Sequence, residues 1–394
     1  MHISSFKILC GVGLLAIFSS TISKSPALPL YVAHLGGGPA AIGLIASISA
    51  LTGILFSFPA GILSDRIGRK RMLMASAIVF ATAPFLYLLV EKIWQLALVR
   101  LYHGLATAIF VPVAMAMVSD IYQKSRGEKM GWFSTATLLG RFVAPATGGT
   151  ILGLYAITPS TGFHLVYLTC GAAGLAVMTG IFFLPDKKPV TAEAKKITVR
   201  NWRGDLAQLL ANRGIMATCG MESAILFAYG TFETFLPGHG LAAGLNTYQI
   251  GLCLSSQIIT IALSKPILGR FSDRHGRPPQ IMAGALIGAA GIALFSLAGS
   301  FASLLFLSII LGLAISVVTS ASAAHIADLS KGEAHGSAMG ILGSIMDMGH
   351  TAGPLLGGIL ASSLGLPASF LGAGAVLALA CLIFFTLQRS PTTN

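Results

Sequence analysis

Twelve long apolar runs alternate with short polar breaks, at about 7 to 33, 39 to 63, 72 to 90, 93 to 120, 129 to 155, 163 to 184, 214 to 237, 246 to 270, 278 to 298, 301 to 327, 335 to 362 and 366 to 387. Each is long enough to cross the hydrocarbon of a bilayer, which takes about 20 predominantly apolar residues as a helix. The pattern predicts an all-α membrane protein with 12 transmembrane helices. Lys7 ahead of the first run gives it the look of a secretory leader. Removing it would delete the counterpart of the seventh run and leave an odd number of spans, so it is read as retained.

The second half repeats the first. Gly61-Ile62-Leu63-Ser64-Asp65-Arg66-Ile67-Gly68-Arg69-Lys70 returns 208 positions later as Gly269-Arg270-Phe271-Ser272-Asp273-Arg274-His275-Gly276-Arg277. Leu28-Pro29 matches Leu236-Pro237 and Ile42-Gly43 matches Ile250-Gly251 at the same offset. Met130-Gly131, Gly140, Pro145 and Gly148-Gly149 match Met339-Gly340, Gly349, Pro354 and Gly357-Gly358 at an offset of 209. Chance similarity between apolar segments would not hold one register. The chain therefore reads as two pseudosymmetric six-helix bundles, residues 1–184 and 214–394. Gly/Pro-interrupted spans at matching places in two halves point to a secondary transporter.

Between the halves lies the one long polar segment, 185–213, carrying Asp186, Lys187, Lys188, Lys195, Lys196, Arg200, Arg203 and Arg213. Within it Trp202, Leu206, Leu209 and Leu210 recur at helical spacing. That spacing fits a short helix lying on the membrane surface, and a partly ordered linker equally well.

Composition agrees with lipid as the solvent: of 394 residues 55% are hydrophobic and 10% charged. The net charge of +12 would raise nucleic acid as a partner in a soluble chain, but its placement gives it another meaning. Lys24, Arg100, Arg141 and Lys265 sit within spans and Lys92 follows the third span. The other Lys and Arg lie at the termini, in the loops after even-numbered spans, or at the span ends that flank those loops. Positive residues mark the cytoplasmic side, so both termini and the linker are expected inside the cell membrane. Cys10, Cys170, Cys219, Cys253 and Cys381 all fall in apolar runs without CxxC spacing. They read as small core residues, neither disulfides nor a metal site.

These residues resemble the major facilitator superfamily over essentially the whole chain. The family's loop motif, G-x-L-x-D-R-x-G-R-K/R, is filled by Gly61, Leu63, Asp65, Arg66, Gly68, Arg69 and Lys70. Its second copy keeps Gly269, Asp273, Arg274, Gly276 and Arg277 and ends in Pro278-Pro279. The resemblance implies that this loop joins the second and third helices and that its Asp helps latch the halves on the cytoplasmic side. Asp65 and Arg69 are four residues apart, and Asp120 ends the fourth span on the same side, so a charge network is expected there. A solvated turn that only fixes topology is the competing reading.

A second motif, typical of drug/proton antiporters, is G-x8-G-x3-G-P-x2-G-G. In the fifth span Gly131, Gly140, Pro145, Gly148 and Gly149 fit it, with Ala144 in place of one glycine. The eleventh span carries an unbroken copy in Gly340, Gly349, Gly353, Pro354, Gly357 and Gly358. Small residues allow close helix approach where lipid supplies no hydrophobic drive. The motif can thus serve as a hinge or seal, or as close packing alone. A third motif, near L-x3-R-x2-Q-G, is matched in the fourth span by Leu96, Arg100 and Gly104, with His103 where Gln is usual. The resemblance links that arginine to proton coupling.

Ionisable residues inside the membrane are expensive and by default functional candidates. They are Lys24 in the first span, Arg100 in the fourth, Arg141 in the fifth, Glu222 and Glu233 in the seventh and Asp347 in the eleventh. The family fold lines its cavity with helices one, four, seven and ten, which implies that Lys24, Arg100, Glu222 and Glu233 come together. Glu222, deeper than Glu233 by about 16 Å at 1.5 Å per residue, is the expected titrating group; a static ion pair is the alternative. Arg141 aligns with His350 in the repeat, one turn beyond Asp347, which points to a polar cluster there. Lys265 is expected to snorkel to the surface without a transport role. Tyr31, Phe232 and Phe235 are candidates for stacking on an aromatic substrate, or for interfacial anchors.

The leading expectation is a proton-coupled exporter of small molecules, a monomer working by alternating access, with no bound cofactor and the proton gradient as its driving force. The alternative is a symporter or facilitator importing an anionic metabolite between Lys24 and Arg100. An enzyme is not expected, since the chain has no Walker A, HExxH or GxSxG sequence and no Cys/His cluster. Single cysteines introduced into 185–213 should escape a membrane-impermeant maleimide in intact cells and react after permeabilisation; labelling from outside would reverse the orientation.

Overall fold

The computed structural model describes residues 5–122, 125–185, 211–330 and 334–389, and nearly all of them are helical. The interfacial helix expected around Trp202 lies outside these residues. The spans appear as Ser5–His34, Pro39–Ile67, Arg69–Leu89, Ile93–Ile121, Arg126–Leu154, Pro159–Phe182, Arg213–Ala242, Thr247–His275, Arg277–Leu297, Phe301–Leu329, Ala334–Leu364 and Leu366–Arg389. Ten are long and apolar enough to cross a membrane. The fifth and eleventh, at 29 and 31 residues, have the length but dilute their apolar content with the glycines, serines and threonines of the motif. The exterior is apolar: Leu297 is 82% exposed and Phe58 76%, exposures that suit lipid and would be a liability in water.

One span departs from the expected continuous helix. The first is interrupted between Ile22 and Ala27. Pro26 has no N–H to donate and its ring would collide with the carbonyl four residues back in a continued helix. The seventh span, which has Thr234 at the matching place, runs unbroken from Arg213 to Ala242.

The chain divides into two compact units, Met1–Thr191 with Leu245–Ser255, and Ala192–Gly244 with Ser256–Asn394. In the first unit a core of Leu9, Phe80, Phe110, Phe133 and Val177 joins the first, third, fourth, fifth and sixth spans at one end. A second core around Tyr31, Tyr87, Phe163 and Tyr167 fills the other end. In the second unit Ile215, Cys219, Ile326 and Leu342 join the seventh, tenth and eleventh spans. The five cysteines form no disulfide in the structure.

The motif glycines act through contact. A methyl group at Gly140 would overlap the Leu14 carbonyl, and one at Gly349 would overlap the Ser223 carbonyl. The fifth helix is thus pressed backbone to backbone on the first, and the eleventh on the seventh. Further along, Gly149 lies against the Thr247 carbonyl. Thr247 Oγ1 donates to Gly149 O at 2.9 Å and Ser255 Oγ donates to Phe142 O at 2.7 Å. The fifth helix therefore also packs along the start of the eighth, which is why those residues belong to the first unit. Replacing Gly349 by valine should cost roughly 1–3 kcal/mol or more, as overpacking does, and lower the unfolding temperature in detergent. Alanine at Gly343, which faces open space, should leave that temperature unchanged.

Candidate functional site

Each unit carries the same charged turn. Gly68 and Gly276 take φ of 103° and 91°, a left-handed region that side chains avoid, and so end the second and eighth helices sharply. The turn returns Arg69 onto Asp65 at 2.5 Å and Asp120 at 3.0 Å, with Ser64 also accepting from it. In the second unit Arg277 reaches Asp273 at 2.5 Å and Asp328 at 3.2 Å. Asp328 was not singled out from the sequence, although it stands 208 positions after Asp120. The carboxylates are about half exposed and the guanidiniums mostly covered. Each network closes within its own unit, tying the ends of three consecutive spans. Arg66 and Arg274 point outward, and Gly61 and Gly269 face open space.

Arg100 sits inside the first unit, 2% exposed. Its Nη1 donates to the Tyr87 hydroxyl at 3.2 Å, which also meets His103 Nδ1 at 3.3 Å. Tyr87 stacks on Tyr167 with centroids 4.1 Å apart, and no carboxylate pairs with Arg100 among the described residues. A charged side chain here is held by phenols, an imidazole and aromatic faces of its own bundle. Arg100 thus occupies an enclosed site within its own bundle. The repeat explains how the fold does without it: the matching positions hold Phe295, Ser308 and Leu311.

Lys24 lies in the break of the first span, half-buried. Its repeat position is Phe232, fully buried against Phe295. Phe235 is equally enclosed. Tyr31 donates to the carbonyls of Tyr87 and Val90, so all three aromatics are core residues unavailable for stacking on a substrate.

The second unit holds the two glutamates apart in different company. Glu233 meets His350 Nε2 at 3.4 Å, an ion pair when the imidazole is protonated, and His350 stacks on Tyr229 at 5.3 Å. Within the second unit this contact joins the seventh and eleventh spans. Arg141 and Asp347 are both exposed, and neither enters an ion pair among the described residues. Glu222 is 1% exposed, with Oε2 unpartnered in the protein. Ser322 of the tenth span stands beside it and Lys265 of the eighth acts on its charge. Lys265 itself is exposed.

Gln257, Ser316, Thr319, Ser322 and His325 also present buried polar atoms without protein partners. Sequence reasoning missed Ser316, Thr319 and Ser322, because hydroxyl residues scattered in an apolar span look like packing residues. No group of His, Cys, Asp and Glu able to hold a metal occurs among the described residues.

Two six-helix units with repeated Gly-Asp-Arg-Gly-Arg turns and glycine-rich fifth and eleventh helices are the layout of a transporter. The family model described as Major Facilitator Superfamily matches residues 9–256 and 225–394. The chain belongs to that superfamily and is a multi-pass membrane transporter, not an enzyme. It is 28% identical over 381 residues to the multidrug resistance protein MdtG of Citrobacter koseri, covering 93% of this chain and 91% of that one. It is 25% identical over 371 residues to an uncharacterized MFS-type transporter of Methanocaldococcus jannaschii, covering 92% and 91%. Among solved structures it is similar to a bacterial homolog of the human lysosomal transporter Spinster, with a TM-score of 0.84, 16% identity and coverage of 98% and 96%. The nucleoside transporter NupG superposes with a TM-score of 0.78, 16% identity and coverage of 98% and 100%.

In this superfamily member the buried Arg100 depends on Tyr87. Tyr87→Phe should destabilise the protein by about 1–3 kcal/mol, the penalty of a buried donor left unsatisfied. Adding Arg100→Ser and His103→Leu, which installs the second unit's residues, should restore most of the loss in thermal unfolding.

Proposed function

We propose that this transporter exports small molecules from the cell in exchange for protons. The observation that carries this reading is Glu222: a carboxylate almost wholly buried in a transmembrane helix, with one oxygen unpartnered in the protein. An ionised carboxylate is costly there and a proton removes the charge, so loading and unloading it can bias two conformations of the protein. Similarity to proteins named for multidrug resistance supports the export direction. The driving force is the proton gradient, with no bound cofactor. The protein works as a monomer in the cytoplasmic membrane with both termini inside, and its partners are lipid and a small-molecule substrate, without nucleic acid.

The import reading rested on Lys24 and Arg100 as an anion clamp. It loses support because the Arg100 guanidinium is engaged with Tyr87 in the bundle interior.

Inverted vesicles holding a steady proton gradient should show protein-dependent lumenal alkalinisation on addition of one class from a panel of cationic, anionic and neutral compounds. Glu222→Gln should abolish that response while leaving counterflow of the active compound within about two-fold of wild type, since exchange without net proton movement needs no titration. Unchanged alkalinisation in Glu222→Gln would move the titrating role to another residue.

A further inference from the structure

We propose that the second unit contains a proton relay of hydroxyl groups and ordered water, running along the tenth span from Ser316 through Thr319 to Ser322 beside Glu222, and on through His325 to the end of that span marked by Asp328. The proposal rests on the reading of Glu222 as the titrating group and extends it to the route by which the proton arrives.

The tenth span treats its hydroxyls in two ways. Ser308, Ser320 and Ser330 each donate at 2.7 Å to the carbonyl four residues back, the usual resting place of a helical serine. Ser316, Thr319 and Ser322 have no such bond: the Ser316 and Thr319 oxygens are buried without a protein partner, and the Ser322 hydroxyl stands at the Glu222 carboxyl. With His325, whose Nε2 is also buried and unpartnered, they recur every three residues. Each step rises about 4.5 Å along the helix, so the four groups form one slowly winding stripe roughly 13 Å long.

Neighbouring helices face this stripe with the same kind of group. Glu222 Oε2 and Gln257 Nε2 are both unpartnered, and each side chain is 1% exposed. Glu222 lies beside Ser322. Gln257 is on the stretch of the eighth span whose backbone touches Gly312, one turn before Ser316.

The repeat shows that the fold does not require these atoms. The fourth span, in register with the tenth, has Ala108, Val111, Ala114 and Met117 where the tenth has Ser316, Thr319, Ser322 and His325. Leu14 takes the place of Glu222 and Ser49 that of Gln257. Each bare buried polar group costs about 1–3 kcal/mol, and an apolar solution exists in the same chain. Single waters with two to four polar partners are ordinary occupants of such sites.

The chemistry balances. The Glu222 O–H bond breaks as its proton passes to a neighbouring water oxygen, which releases another of its protons to the next hydroxyl. Each serine or threonine accepts one proton on a lone pair and gives up its own, and His325 accepts at a ring nitrogen and passes a proton on beside Asp328. No bond order or oxidation state changes overall. The other charged groups on helices packed against the seventh span, among the described residues, are Arg277, Asp328, Asp347 and His350. Arg277 is engaged with Asp273 and Asp328, and His350 with Glu233. Lys265 is the cation acting on Glu222.

The test uses the full chain in liposomes, with the proton itself as probe. Infrared difference spectra after a pH jump identify the Glu222 carboxyl band as the one missing in Glu222→Gln. The variant Ser316→Ala/Thr319→Val/Ser322→Ala, which carries the fourth span's residues, should keep that band at equilibrium but fill it about ten-fold more slowly or worse, the effect of losing at least one hydrogen-bonded step. An unchanged filling rate overturns the relay while leaving Glu222 as the titrating group. If Glu222→Gln removes no band, the titrating role fails and the relay with it. Should the triple variant not fold, wild type decides the matter: a pH-dependent water O–H band that shifts in H2(18)O supports the relay, and its absence overturns it.

Discussion

Lipid gives helices no hydrophobic reason to associate, and every other feature of this transporter depends on how it gets around that constraint. The answer is backbone contact: Gly140 on the Leu14 carbonyl, Gly349 on the Ser223 carbonyl and Gly353 on the Phe227 carbonyl. Contact at this range multiplies dispersion and weak Cα–H···O attraction along a helix pair. It also fixes rotation, since one side chain at the crossing would force the helices apart. Because the fifth and eleventh helices are set this way, Arg141 and Asp347 remain on exposed faces, and Tyr229 and His350 are brought together across the seventh and eleventh spans.

Within that shared frame the two units have diverged in what they bury. The first encloses a cation, Arg100, against Tyr87, His103 and Tyr167. The second encloses a carboxyl group, that of Glu222, with hydroxyls and an amide around it. The positions correspond, so each unit is a control for the other: what one half does with Phe295 or Ala114, the other does with Tyr87 or Ser322. Polar residues that the frame can replace with apolar ones are the places to look for work other than folding.

Reading the sequence located the candidates unevenly. Glu222 stood out because a carboxylate in an apolar run is rare at any position. Asp328 was equally legible in the repeat and needed only the offset carried one motif further. Ser316, Thr319 and Ser322 were not legible, since a helical serine can satisfy itself on its own backbone and three of their neighbours do. Nothing in the letters says which serine will turn away. Arg100 carried the opposite error: its span implied a cavity, whereas its rotation about the helix axis placed it among aromatics.

What the sequence determined by itself is the architecture: twelve spans, their near ends, the twofold repeat and the superfamily. These follow from hydropathy, from backbone that must satisfy itself in lipid, and from glycines whose spacing persists over 208 positions. The partners of the buried charges were decided only by tertiary structure. Glu233 meets His350 of the eleventh span, a contact that helix order alone did not indicate. Hydropathy records how deep a residue lies, but the direction it faces depends on the rotation of its helix, and that angle is set by close contacts between residues far apart in the chain.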